Sequence, residues 1–242
     1  YAREVMQLFT IGLYQLNIDG TLQMDSQGKP IESYDNVDIQ GLARVFTGWN
    51  TATGTDATGE LANAAYRHGL PMMLTASLHS PEEKKFLGVT IPAGTPGVES
   101  LKIALDTLFK HNNTAPFISK QLIQRLVTSN PSPAYVARVA NIFVNNGKGV
   151  RGDMKAVWSA ILMDTEARQV NAASSFGKLS EPMVRLLQWG HTFHAKSTDG
   201  AWTLGYTDAE TSLGQMPMRS PSVFNFFRPG YVPPNTQVAS QN

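Results

Sequence analysis

The sequence predicts a mainly α-helical fold: a single helical bundle-like domain with a small β-hairpin and an irregular insertion. With 42% hydrophobic and 16% charged residues among 242, the composition is that of a globular protein. Apolar residues recur at three- and four-residue spacing through much of the chain. Three helical stretches follow one another with short connections over residues 99–146, which is typical of a bundle. We therefore expect one mainly helical domain over residues 1–242.

The first 46 residues predict two helices with a hairpin between them. Residues 1–13 carry an apolar face at helical spacing. In residues 21–33 two short alternating runs flank the turn sequence DSQG, a pattern that predicts a hairpin. Asp35 or Asn36 can then cap a helix over residues 37–46.

Residues 50–98 are the least helical part of the chain and form the predicted insertion. Glycines punctuate this segment, and residues 51–58 are close to low complexity. A loop of this length is usually either disordered or functional. We expect an irregular surface lobe with partial order, because residues 71–74 and 86–91 can form short strands.

Helical signals dominate from residue 98 onward, where five helices are expected, the last of them running towards His194. The residues that mark their starts and ends are Lys110, His111, Asn113 or Thr114, Pro133, Gly147, Asp153 and Pro182. A proline-rich aromatic tail follows over residues 217–234. Its aromatic side chains either cover the end of the bundle or form a platform for sugars or peptides.

Charge and cysteine content exclude several kinds of site. The chain has 20 basic and 19 acidic residues and no single-sign block, which argues against nucleic acid as the main partner. It has no cysteine, so disulfides, thiolate metal sites and cysteine nucleophiles are excluded.

No apolar run approaches the length of about 18 residues that predicts a transmembrane helix. Because residue 1 is not Met and lies within a helical pattern, we expect a fragment of a longer chain.

Five segments, spread over almost the whole chain, carry a family resemblance. They are YAREVMQLFTIG at 1–12, DIQGLARVFTGW at 38–49, LHSPEEKKFLG at 78–88, the helical region DTLFKHNNTAPFISKQLIQRLVTSNPSPAYVARVA at 106–140, and GQMPMRSPSVFNFFRPGY at 214–231. In these segments the chain resembles the C-terminal part of the bacterial family called domain of unknown function 1800. The resemblance implies a mainly helical, exported bacterial protein, periplasmic or extracellular. It supplies no catalytic residues.

The matching segments contain the polar and aromatic residues that are candidates for ligand binding: Arg3, Glu4, Arg44, Trp49, His79 and Lys84. Arginine offers paired donors to an anion, glutamate accepts hydrogen bonds, and tryptophan offers a stacking face. The alternative is structural, with Arg3, Glu4 and Arg44 in a buried salt-bridge network between two helices. The family's usual His-Asp pair appears here as His79-Ser80, without the acid.

His191 and His194 stand three residues apart on a predicted helix, a spacing that allows both rings to touch one metal ion. Two ligands do not make a site, so we expect exposed histidines near a helix C-terminus and no metal. Nucleophile, Walker and dinucleotide motifs are absent from the sequence, and no cofactor is expected.

Together these observations favour a non-catalytic binding or assembly module for a partner protein or a cell-envelope polymer. The alternative is a hydrolase-like enzyme that uses Glu4 and His79 as acid and base, with Arg44 holding an anionic group of the substrate. The two hypotheses differ in geometry, because the enzyme requires these three side chains to converge in a deep pocket.

Overall fold

The computed structural model describes residues 1–52, 70–169, 177–202, 204–227 and 231–232. These residues are mainly helical with small β elements, as the sequence predicts. The chain divides into two compact units. The first unit is Tyr1–Gln121 with Pro133–Ala160, and the second unit is Leu122–Ser132 with Ile161–Asn242. The expectation of one domain over residues 1–242 stays a prediction.

The helices lie where the sequence predicts them, with small shifts at their ends. In chain order they are α1 (Ala2–Glu4), α2 (Asn36–Val45), α3 (Gly97–Lys110), α4 (Thr114–Leu126), α5 (Pro133–Val144), α6 (Met154–Met163), α7 (Thr165–Arg168) and α8 (Pro182–Thr192). The strands are β1 (Trp49–Asn50), β2 (Met73–Leu74), β3 (Lys84–Phe86) and β4 (Val89–Ile91). The short helix α7 has no counterpart among the predicted elements.

The N-terminal helix ends earlier than the predicted Leu13. It continues from α1 as a π-helical segment, Val5–Thr10, and the N–H groups of Ile11 and Gly12 both bond to the carbonyl of Met6, at 2.9 and 3.0 Å. Gly12 has a φ of +75°, and a Cβ at this position would lie 2.8 Å from the Phe117 ring. The helix therefore ends where α4 approaches its backbone, which only glycine allows.

The predicted hairpin over residues 21–33 is present and has a third extended segment beside it. The isolated antiparallel bridges are Leu16–Leu22, Met24–Pro30 and Tyr14–Glu32. The Asp25 carboxylate fixes the turn, because it accepts the N–H groups of Gln27 and Lys29 at 2.8 and 2.9 Å. The bridge from residue 14 was not visible in the alternation pattern, since its partner lies 18 positions away.

Helix α2 begins with a reciprocal cap. The Asp35 side chain accepts the N–H groups of Val37 and Asp38, and the Asp38 side chain accepts the N–H of Asp35. The opposite end of the helix buries Leu42 and Val45 completely. The core of the first unit gathers around this apolar face, and its buried members are Ala2, Met6, Ile11, Leu42, Val45, Phe86, Ile91, Ala104 and Leu108.

The described part of the 50–98 segment contributes to this core. Strands β3 and β4 form an antiparallel hairpin whose two turn residues, Leu87 and Gly88, both have positive φ, at 48° and 76°. Phe86 and Ile91 point into the core and are buried. Asp38 fastens the hairpin to α2 by accepting the N–H of Leu87 at 2.6 Å. The expected strand at 86–91 is therefore a hairpin that packs against α2, and residues 53–69 of the predicted lobe lie outside the described residues.

The second unit contains α7, α8 and the described part of the tail. The Glu166 carboxylate of α7 accepts both the N–H and the hydroxyl of Ser132, at 2.9 and 2.5 Å. At the start of α8, Glu181 accepts the side-chain amide of Asn225 at 2.8 Å, which holds the tail to this helix. None of the residues of α8 is buried. Among the described residues, no helix combines the length and apolarity needed to cross a membrane.

Candidate binding sites

Arg44 connects the end of α2 to the segment before β3. Its guanidinium pairs with the Glu82 carboxylate at 3.1 Å, and Nη1 donates to the carbonyl of Glu83 at 3.2 Å. The Arg44 side chain is 46% exposed, and an ion pair this exposed contributes less than about 1 kcal/mol. Arg44 is thus a surface link between two segments that both match the family.

His79 lies between the corner after α2 and the start of α3. Its Nδ1 is 3.0 Å from the carbonyl of Thr47, and because a carbonyl only accepts, Nδ1 carries the proton. The Thr47 hydroxyl accepts the N–H of Ser80 at 2.8 Å. A Cβ built on Gly97 would lie 3.2 Å from the His79 ring, so the ring packs tightly against α3. In the described structure its Nε2 is buried without a hydrogen-bond partner.

Lys84 is fully buried, and its ammonium group faces its own loop. Nζ donates to the carbonyls of Ser80 and Glu82 at 2.9 and 3.1 Å. Burial lowers the pKa of the Lys84 ammonium, the nearby Arg44 lowers it further, and Glu82 opposes both. The Lys84 ammonium therefore binds carbonyl groups of its own loop, and it is not exposed to solvent.

Trp49 begins β1 and pairs with Leu74 of β2. Its indole Nε1 is buried and lacks a hydrogen-bond partner in the part of the chain that the structure describes. The preceding Gly48 has a φ of +82°, and a Cβ there would lie 2.8 Å from the carbonyl of Thr75 and 2.9 Å from the backbone nitrogen of His79. Two segments that match the family, 38–49 and 78–88, therefore interlock through backbone contacts at this corner.

Arg3 and Glu4 lie on α1, and both are exposed. Arg3 lines a cleft of about 240 Å³ that also contains Tyr34, whose hydroxyl is buried with no partner among the described residues. Burial raises the pKa of Tyr34, against an opposing effect of Arg3. The cleft is smaller than the roughly 300–1,000 Å³ of small-molecule sites. The alternative prediction of a buried salt-bridge network of Arg3, Glu4 and Arg44 is wrong, because all three residues are exposed and Arg44 pairs with Glu82.

The structure thus gathers four of the six candidate residues at one corner: Arg44, Trp49, His79 and Lys84. The opening turn of the chain reaches the same corner, because the Tyr1 ring meets the Phe46 ring edge-on at 4.9 Å. Among the described contacts, no hydrogen bond or ion pair links Glu4 to this group. Whether any of the six binds a ligand stays a prediction.

A larger groove lies in the second unit, along the last turns of α8. It encloses about 530 Å³, which is within the range of small-molecule sites. Trp189 and Trp202 line it and are each 57% exposed. The other lining residues are Leu186, Leu187, Gly190, His191, His194, Ala195, Lys196 and Leu204. The groove is therefore apolar and aromatic with a basic rim.

The end of α8 shapes this groove. The N–H of His194 bonds to the carbonyl of His191 at 3.2 Å, and the N–H of Ala195 bonds to that of Gly190 at 2.9 Å. This is the Schellman arrangement, whose left-handed position is usually glycine. His194 occupies it here with a φ of +51°, which costs a side-chain-bearing residue about 1 kcal/mol. The helix thus ends in a strained conformation that places an imidazole at the groove.

The predicted pair His191 and His194 therefore belongs to the groove wall. The described residues contain no group of three or more metal-binding side chains. Trp189, Trp202 and Lys196 were not among the predicted site residues. Two of the chain's four tryptophans lie within 14 positions and flank both histidines, and this clustering was the available signal.

The described residues define a mainly helical protein with an aromatic groove at the end of one exposed helix. The chain belongs to the family described as "Protein of unknown function (DUF1800)", whose model matches residues 1–242, the whole chain. The resemblance seen in five segments is therefore confirmed. A search of the curated proteins found no match, and a search of the solved structures found none.

Proposed function

We propose that this protein is a non-catalytic binding module that holds a cell-envelope polysaccharide in the α8 groove. The resemblance to exported bacterial proteins supports a location in the periplasm or outside the cell, and this location is part of the proposal. The single observation that carries the proposal is the pair of half-exposed tryptophans, Trp189 and Trp202, in one groove of about 530 Å³.

Tryptophan faces suit a sugar ring for a physical reason. A pyranose ring presents a patch of C–H groups, and an indole offers a large apolar face with negative charge density to meet it. Exposed aromatic residues that share one surface often mark an interaction site, whereas singly exposed ones are ordinary. A polymer with repeated rings offers several such patches along one chain, one for each indole.

The hydrolase alternative has less support. His79 donates to a backbone carbonyl, and its other ring nitrogen is buried. Glu4 is exposed and does not line the cleft beside Arg3. An acid and a base must reach one substrate, and no described contact brings these two side chains together.

The test is retention of the purified full chain on insoluble polysaccharides, namely peptidoglycan sacculi, cellulose and chitin, together with affinity electrophoresis through soluble acidic and neutral polysaccharides. The proposal predicts retention or retardation by at least one polymer. Trp189→Ala and Trp202→Ala should each weaken it about 5- to 100-fold, as expected when one stacking face is lost. Trp158→Ala is the matched control, since Trp158 is 39% exposed and lies in the first unit.

Two results would overturn the proposal. One is the absence of binding to every polymer, and this includes the case in which the chain instead forms a stable complex with a protein. The other is binding that survives both tryptophan substitutions, which would place the polymer elsewhere on the chain. Circular dichroism of each variant confirms that the helices are intact before binding is compared.

A further inference from the structure

The rim of the α8 groove carries basic side chains and no acidic one. His191, His194 and Lys196 are all exposed and all line the groove. Lys196 forms no ion pair with any residue that the structure describes. A cation that is close to an apolar wall and unpaired within the protein is available to a ligand.

Two carboxylates close to the groove residues in sequence, Asp199 and Glu181, are engaged elsewhere. Asp199 accepts the Ser197 hydroxyl at 2.5 Å and the N–H of Ala201 at 3.1 Å, within its own turn. These hydrogen bonds lower the pKa of Asp199, so it stays ionised and committed to the turn. Glu181, at the other end of α8, accepts the side-chain amide of Asn225. Neither carboxylate lines the groove.

The negative end of the α8 dipole is also partly neutralised. The last carbonyls of a helix repel anions when they are free. Here the carbonyl of Trp189 accepts the N–H of Phe193 at 3.0 Å, and those of Gly190 and His191 accept the N–H groups of Ala195 and His194. An anion at the groove therefore meets last-turn carbonyls that are already hydrogen-bonded, beside exposed basic side chains.

We propose that the ligand of this groove is an acidic glycan, whose sugar rings stack on Trp189 and Trp202 while a carboxylate or phosphate on the ring pairs with Lys196. This inference rests on the proposed function, and it adds the charge of the ligand. The aromatic faces favour a ligand with sugar rings, and the basic side chains, which have no acidic neighbour in the groove, favour one with an anionic group. Imidazole N–H groups of His191 and His194 supply further donors to the same oxygens.

The test is a titration of the full chain with paired probes. Oligogalacturonate is compared with its methyl ester, and phosphorylated dextran with plain dextran, so that the two members of each pair share one sugar backbone and differ in charge. The inference predicts tighter binding of at least one acidic probe than of its neutral partner. Raising NaCl from about 50 to about 500 mM should remove most of that preference. The pair that responds distinguishes carboxylate from phosphate.

Matched lysine variants separate a local contact from a general charge effect. Lys196→Gln should weaken the acidic probe about 2- to 5-fold, the loss expected for one exposed ion pair, and leave the neutral probe unchanged. Lys155→Gln removes an exposed lysine from the first unit and should change neither.

Equal affinity for the acidic and neutral members of both pairs would overturn the charge assignment and leave the polysaccharide-binding proposal intact. Acidic probes that fail to bind, while a neutral polymer still retains the chain through Trp189 and Trp202, would do the same. Failure of every polymer overturns the proposed function itself. An unchanged acidic preference in Lys196→Gln would also contradict the inference.

Discussion

The backbone of Lys85 lies directly against Gly41: a Cβ built on Gly41 would stand 1.7 Å from the Lys85 carbonyl oxygen and 2.6 Å from its carbonyl carbon. Gly41 is at the middle of α2, where glycine is otherwise unfavourable by about 1 kcal/mol relative to alanine. The close contact explains this choice, because the β3–β4 hairpin packs on α2 through backbone atoms. The same hairpin carries Lys84 and Phe86, so this contact positions the corner described above.

Gly41→Ala should therefore destabilise the first unit by about 3 kcal/mol or more, because overpacking against backbone cannot be relieved by a rotamer change. The matched control is Gly190→Ala in α8, where the nearest atom to a new Cβ is 4.0 Å away. This control should be neutral or should stabilise its helix by up to about 1 kcal/mol. Urea unfolding followed by circular dichroism measures both, and a Gly41→Ala midpoint equal to the wild type would refute the packing described here.

Asn113 joins the start of α4 to residues 11–16, the segment in which the N-terminal helix ends. Its Nδ2 lies within hydrogen-bonding distance of the carbonyls of Ile11 and Tyr14, at 2.9 and 2.8 Å, and its Oδ1 accepts the N–H of Leu16 at 2.9 Å. Asn113→Asp turns the donor into an acceptor that faces two carbonyls. We expect a loss of about 3 kcal/mol or more in the free energy of unfolding.

The neighbouring Asn112 is exposed and provides the control. Asn112→Asp should change the free energy of unfolding by less than about 0.5 kcal/mol. If the two variants lose similar free energies of unfolding, the Asn113 hydrogen bonds do not stabilise the fold as predicted. Chemical denaturation at pH 7.5 gives both values.

Stability should depend on pH through His111. Burial lowers the pKa of His111 below its ordinary 6.5, and its Nδ1 accepts the N–H of Asn113 at 3.1 Å, which requires an unprotonated nitrogen. The unfolded state therefore binds a proton more readily than the folded state, and stability falls as the pH drops from about 7.5 to about 5.5. His111→Gln should make that part of the pH profile flatter. Equal slopes for the wild type and the variant would contradict the burial effect.

His194 should show a conflict between stability and binding. Glycine fits the left-handed position at the end of α8 without strain, so His194→Gly should stabilise this helix end by about 0.5–1 kcal/mol. The same change removes a side chain from the groove and should weaken polysaccharide retention. Thermal unfolding and affinity electrophoresis on one preparation measure the two effects. If the variant binds as well as the wild type, the His194 side chain does not contribute to binding.

Local signals predicted the helices well. The capping residues Asp35 and Asp153 and the first-turn prolines Pro133 and Pro182 act over three or four positions, and each marks a helix start in the structure. The Asp25 turn is likewise local. Such features depend on neighbours in sequence, which a single sequence displays.

Contacts between residues far apart in the chain could not be predicted from the sequence pattern. Asn113 or Thr114 was expected to cap α4, and the Asn113 side chain bonds to a segment about 100 positions away. Arg44 was grouped with α1, and its partner Glu82 lies 38 positions along the chain. The groove depends on where Trp202 returns after the turn at residues 197–201, which no periodicity encodes. Hence the corner was partly predicted and the groove was not.

The most direct measurement is hydroxyl-radical footprinting of the four tryptophans, read by mass spectrometry, with and without a saturating concentration of the acidic probe that binds more tightly, oligogalacturonate or phosphorylated dextran. If the α8 groove is the binding site for an acidic glycan, oxidation of Trp189 and Trp202 should slow several-fold, while Trp158 in the first unit should react at an unchanged rate. Unchanged oxidation of Trp189 and Trp202 when the glycan is bound would contradict the account.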